Sequence, residues 1–178
     1  MTDGLKGVSR DMVHKVFGWL SRPSIAAVAT AFAIMAPHSQ ASADGLPFKP
    51  PKGWVPVHVP AGLIGKWVEP GDAGFHQSVS VYGHAFSGTL ADYYVIDVKS
   101  LKSHYPGGDI AVSQDTTVCS DHPAKYLSYG LDTSAGALIV EQIITVERSA
   151  AYVVTYVRLA SQSSESAARE SMTTICGI

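Results

Sequence analysis

Ser120, Asp121 and His122 gather in three consecutive positions the residue types of a hydrolytic triad. A working triad needs a hydrogen-bond chain from nucleophile to base to orienting carboxylate, which sequential neighbours do not supply, and no GxSxG elbow accompanies them. With Pro123 next, the run reads as a turn. His76 and His84 lie eight residues apart and would share one face of a strand, yet their Cα atoms would stand roughly 26 Å apart in a straight one. In that arrangement they cannot grip the same ion, whereas a bend before Ser78, or His104 or His122 meeting an acidic group, would make a zinc or copper site. His58, His104 and His122 add no HExxH or Cys/His spacing, so no metal ligand is assigned. Glu141 and Glu147 would sit roughly 20 Å apart on one strand face, too far for paired-carboxylate glycoside chemistry. The glycines of "YPGGDIA" (105–111) lack the lysine and helix of a phosphate loop. The residues therefore name no catalytic group and no cofactor. A hydrolase or metal-binding site assembled from distant residues stands as the alternative.

Cys119 and Cys176 are expected to pair, since an oxidising compartment permits it; the competing reading is two buried thiols packed as small hydrophobes. A disulfide over this separation would stabilise the domain by roughly 4 kcal/mol. Tyr93 on a helix, with Tyr126 and Tyr129 on a strand, form a candidate interaction surface. The competing arrangement packs Tyr94 inward and leaves Tyr93 at the helix edge.

The compartment is read from the leader. Lys6, Arg10, Lys15 and Arg22 outnumber Asp3 and Asp11, "SIAAVATAFAIMA" (24–36) is an uncharged apolar core, and Ala41 and Ala43 fit a small-residue cleavage rule. The core is shorter than the roughly 20 residues a spanning helix needs. Residues 1–43 are thus expected to be a Sec-type signal peptide, and the product periplasmic or secreted, without stable membrane insertion after cleavage. The remaining 135 residues suit one domain and carry nine Lys/Arg against thirteen Asp/Glu, a formal net charge of −4. That balance argues against nucleic acid as a partner.

Residues 44–53 read as a proline-rich arm, followed by a single domain over 54–178. "SVSVYGHAF" (78–86) alternates as a strand, with Val79, Val81 and Ala85 opposite Ser78, Ser80, Tyr82 and His84. "TLADYYVIDVKSLKSHYP" (89–106) changes to helical period: Leu90, Tyr94, Val98, Leu101 and Tyr105 make one apolar stripe, and Thr89 with Asp92 makes an N-terminal cap. Strands are expected within 110–119, in "AKYLSYGL" (124–131), in "GALIVEQIITVE" (136–147) and in "YVVTYVRLA" (152–160), the last two antiparallel. "GALIVEQIITVE" is apolar on both faces, as a central strand covered twice would be. A final helix carries Ala168, Met172 and Ile175, with Ser163 or Ser164 as its cap. The fold class is α+β, helices packed on an antiparallel sheet of about five to seven strands.

The order of these elements resembles the Mog1/PsbP-like superfamily, through "FHQSVSVYGHAF", "LADYYVIDVKSL", "DHPAKYLSYG" and the "AAYVVTYVRLASQSSESAARESMTTI" ending. Ala151, Tyr152, Thr155 and Tyr156 match its recurring last strand, and Pro123 and Ala124 its strand entry. The resemblance implies an αβα sandwich and a role in binding other proteins: the superfamily includes thylakoid-lumen assistants of photosystem II, a nuclear partner of a small GTPase, and bacterial exported proteins. The leader is similar to that of the exported branch. The expected function is that of an exported non-enzymatic binding or accessory protein, with an envelope protein or small ligand as partner.

Overall fold

Side chains alternate across a strand, so a strand that is apolar on both sides belongs inside a sheet covered on each face. The computed structural model, which describes residues 48–176 apart from 61, 72–73 and 107–109, builds such a sheet. In chain order its elements are β1 (Val55–Pro56), β2 (Leu63–Val68), β3 (Ser78–Ala85), α1 (Leu90–His104), β4 (Ile110–Val118), β5 (His122–Thr133), β6 (Gly136–Glu147), β7 (Ala150–Leu159) and α2 (Ser166–Met172). The leader and its cleavage site lie outside the described residues. Among those described, no helix is long and apolar enough to cross a membrane.

The seven strands run β1-β2-β3-β7-β6-β5-β4, every neighbouring pair antiparallel. Strands β4 to β7 form a meander of hairpins, and β3 joins it through eight register pairs from Ser78↔Val157 to Ala85↔Ala150. The chain leaves β3 near one side of the meander and re-enters at its far edge. The fifteen-residue helix α1 makes that crossing over β5 and β6. Register sorts the side chains into two layers. Trp67, Val79, Val81, Ile143, Val154 and Tyr156 pack with Phe48 and with Ala168, Met172 and Ile175 at the carboxyl end of the chain. On the opposite face Tyr82, Leu127, Tyr129, Leu138, Val140, Ile144 and Val153 are buried, and Tyr93 and Leu101 of α1 are buried above them. The molecule is an α+β sandwich with one helix on each face of an antiparallel sheet.

Helix α1 starts where the sequence places its cap. The Asp92 amide donates to Thr89 Oγ1 at 3.2 Å and the Thr89 amide to Asp92 Oδ2 at 2.9 Å, closing a capping box. The Thr89 hydroxyl, which donates to Asp92 Oδ2 at 2.7 Å, and then the Thr89 amide hold the Asp92 carboxyl below its usual range. The face differs from the expected stripe. Tyr93, Asp97, Ser100 and Leu101 are buried, whereas Tyr94 is half-buried with its hydroxyl 2.7 Å from Ser113 Oγ. The helix is rotated so that a carboxyl group occupies the middle of its inner face. At α2 the cap position is Glu165, not Ser163 or Ser164, and its side chain makes no cap hydrogen bond. The "SDHP" turn is shorter than expected, because His122 and Pro123 already pair with Val118 and Thr117 as the first residues of β5.

Two hairpin ends use the left-handed region without glycine: Cys119 and Ser120 (φ 50° and 81°) between β4 and β5, and Arg148 and Ser149 (φ 47° and 67°) between β6 and β7. A two-residue loop with both φ positive matches the strand twist, and asparagine and glycine are the residues that adopt it at least cost. Ser149→Gly is therefore expected to stabilise the fold by about 1 kcal/mol, raising the urea midpoint without changing the slope.

Candidate functional site

Most strands here have both edges paired; β4 does not. It is nine residues long, and among the described residues it pairs only with β5. Ala111 to Asp115 are exposed, Val112 among them at 41%. The opposite edge of the sheet is the two-residue β1, too short to template another strand. The flanks of β4 are fixed from inside the chain. Lys125 forms an ion pair with Asp115 and lies over the Tyr94 ring at 5.4 Å, while Tyr94 holds Ser113. At the end of the strand Cys119 and Cys176 are paired in a disulfide with Cα atoms 5.7 Å apart, and the Cys119 amide donates to the Thr173 carbonyl at 3.0 Å. A groove of about 410 Å³ lined by Lys49, Thr117, Ser120, Thr173 and both cysteines opens beside this junction.

Beneath α2 lies a buried charge. Glu141 on β6, 1% exposed, accepts from Arg169 Nε and Nη2 at 2.9 and 2.8 Å and from the Tyr126 hydroxyl at 2.8 Å. Arg158 Nε stands 3.9 Å away. The two-pronged guanidinium contact is the geometry that makes a buried carboxylate tolerable. Burial, and then the hydrogen bond to Glu141, push the Tyr126 phenol up to about 12. The same layer holds a hydrogen bond from the Tyr156 hydroxyl to Gln77 Oε1, and the Glu165 amide donates back to Tyr156 at 3.0 Å. These contacts pin the start of α2. They position a helix.

Beneath α1 the polar groups are less well matched. His84 packs among the rings of Tyr82, Phe86 and Tyr93, the Tyr93 ring centre 5.3 Å away, and burial lowers its pKa. Asp97 is 5% exposed, and burial alone raises its carboxyl to about 7. Its charge, after desolvation, adds to the upward shifts of the Tyr93 and Tyr129 phenols.

The three tyrosines expected to share a surface do not. Tyr93 and Tyr129 are buried under α1, at 6% and 3% exposure, and Tyr126 is on the other face of the sheet against Glu141. Strand alternation explains the separation: Tyr126 and Tyr129 are three residues apart on β5 and so point in opposite directions. Ser120, Asp121 and His122 are exposed at the β4–β5 turn, with no hydrogen bond joining their side chains. Among the described residues no three His, Cys, Asp or Glu side chains converge. The sequence reading passed over Asp97, Arg169 and the pairing of Glu141. Spacing of Asp97 four residues after Tyr93 and three before Ser100 was the available signal for a polar inner face.

No family model and no curated protein matches the chain. Solved structures do match. A Pseudomonas aeruginosa protein of unknown function shares 19% identity, with 53% of this chain and 67% of that one aligned at a TM-score of 0.47. The cyanobacterial PsbP of Synechocystis shares 13%, over 75% of this chain and 87% of that one, at 0.49. A STAR-related lipid transfer protein of Xanthomonas axonopodis shares 11%, over 70% and 91%, at 0.31.

The Asp97 environment has a measurable consequence. A carboxyl whose folded pKa is raised favours the protonated folded state, so its contribution is fully present below the unfolded value near 3.8 and is lost as pH rises through about 7. His84, with its pKa lowered, acts in the opposite sense on the acid side. Asp97→Asn is expected to flatten the decline between pH 5 and pH 8 and to gain on the order of 3 kcal/mol over the parent at pH 8. Urea unfolding of both proteins across that range checks it.

Proposed function

We propose that this chain is an exported accessory protein of the cell envelope, in the bacterial exported branch of the Mog1/PsbP-like superfamily, which binds an extended segment of a partner protein along β4. The observation that carries the reading is the edge of β4: among the described residues, nine residues of strand have one side without a pairing strand and without a covering helix. An incoming strand would satisfy the outward amides and carbonyls, and alternate side chains would meet Val112, Gln114 and Thr116 on one face and Ser113, Asp115 and Thr117 on the other. The turn at its end is tied by the disulfide and by the Cys119–Thr173 hydrogen bond, so the edge is presented without reordering. The export signal of residues 1–43 and the Cys119–Cys176 pair support an oxidising compartment outside the cytosol.

The test is affinity capture from the native envelope with the parent chain and with Gln114→Pro and Val112→Lys variants, each checked for parent-like circular dichroism. One stoichiometric partner held by the parent and lost, by at least tenfold in affinity, from a folded β4 variant supports strand addition. Equal capture by all three removes β4 from the account, and product formation by the purified parent on an ester or peptide panel would favour an enzyme.

A further inference from the structure

Strand β4 carries few of the devices that keep an exposed strand from pairing. Between Ile110 and Val118 there is no proline, lysine or arginine, its one irregularity falls at its start between Ile110 and Val112, and its single charge, Asp115, is already met by Lys125 of β5. Nothing in it refuses an uncharged strand. The other end of the sheet differs, because β1 has two residues, one of them Pro56, and cannot serve as a template.

Register fixes which backbone groups point outward. Pro123 of β5 has no amide to give to Thr117, its partner on β4, and its carbonyl accepts from Thr145 Oγ1 of β6 at 3.0 Å. The polar groups of Pro123 are thus turned towards β6, and in an antiparallel pair those of Thr117 are turned away from β5. Alternation carries the same direction to Asp115 and Ser113. Each presents an amide and a carbonyl at the edge, where no strand among the described residues meets them.

A second β4 has its own polar groups in step with that spacing. A two-fold axis at Gln114, the middle residue of the strand, sets Ser113 opposite Asp115 of the second copy, Val112 opposite Thr116 and Ala111 opposite Thr117. Outward groups then meet outward groups in about eight hydrogen bonds. Moving the axis to Asp115 would oppose two carboxylates directly, which is unfavourable, and moving it to Ser113 would push Thr117 past the end of the second strand. Charge and length both select Gln114.

We propose that β4 is also the interface between two copies of this chain, which pair edge to edge about Gln114 and join their sheets into one. The contact uses the same residues on both copies, and because β1 offers no second edge the assembly closes at two rather than extending. This inference rests on the reading of β4 as an open edge. The dimer holds that edge until a partner segment displaces it, so partner and second copy exclude each other.

The protein purified from the envelope is followed by sedimentation velocity over a dilution series. The parent is expected to move from monomer to dimer mass as concentration rises, whereas Asp115→Pro, whose lost amide points away from β5, is expected to stay monomeric with the parent's circular dichroism. Register is read by cysteine cross-linking. Gln114→Cys places two thiols at the axis, with Cα atoms about 5 Å apart, and is expected to give a covalent dimer on oxidation; Val112→Cys, roughly 13 Å from its mate, is not. A parent monomeric at every concentration, a folded Asp115→Pro that still dimerises, or equal cross-linking at 112 and 114 would each overturn the proposal. A monomeric parent whose β4 variants still lose the captured partner overturns the dimer and leaves strand addition standing. A dimer linked through position 114 while capture ignores β4 supports the dimer and removes strand addition.

Discussion

One buried carboxylate fixes the layout of this protein. Glu141 sits on β6, an interior strand with two strands on one side of it and four on the other, and it faces the layer in which α2 packs. Isolated, that charge would be costly to bury; gripped by both Arg169 nitrogens and by Tyr126, it is compensated only when α2 lies in one position. The helix is short, at seven residues, and has no side-chain cap of its own. Helices of that length are not stable alone, so tertiary contacts must supply the order. Ala168 and Met172 add apolar burial on the same face, and the Tyr156–Glu165 contact sets the entry of the chain.

From that anchor the rest follows in sequence. Once α2 is placed, Thr173 and Cys176 meet the β4–β5 turn, and the disulfide joins the carboxyl end of the chain to the end of the edge strand. The sheet then has one face closed by α2, Phe48 and Trp67 and the other crossed by α1. Its long edge, β4, is stiffened at the end by the disulfide and along its length by Lys125 and Tyr94, and among the described residues it pairs on one side only. An edge held in this way is a recognised liability in a monomer unless it has a use.

What could be read from the amino acids alone were the local and periodic signals. The Thr89–Asp92 capping box spans three residues, the double-sided apolar pattern of β6 spans twelve, and both appear in the structure where the sequence places them. The α+β class with an antiparallel sheet follows from the same patterns. The inner face of α1 was misread because Leu90, Tyr94, Val98 and Leu101 are the more apolar stripe, and period alone gives no weight to a buried Asp97. Glu141 and Arg169 are twenty-eight residues apart and belong to different elements, so their pairing emerges only after the strands are in register. Tyr126 and Tyr129 were grouped by residue type, and the period of two in a strand divides them.

The most direct measurement of the Glu141 anchor is a double-mutant cycle of Glu141→Gln and Arg169→Met, followed by urea unfolding. If the pair fixes α2 on the sheet, the two changes couple by about 2 kcal/mol or more, because Arg169→Met strands the buried Glu141 charge, whereas the same change after Glu141→Gln strands none. A coupling within about 0.5 kcal/mol of zero would contradict the account and leave the placement of α2 to its apolar contacts alone.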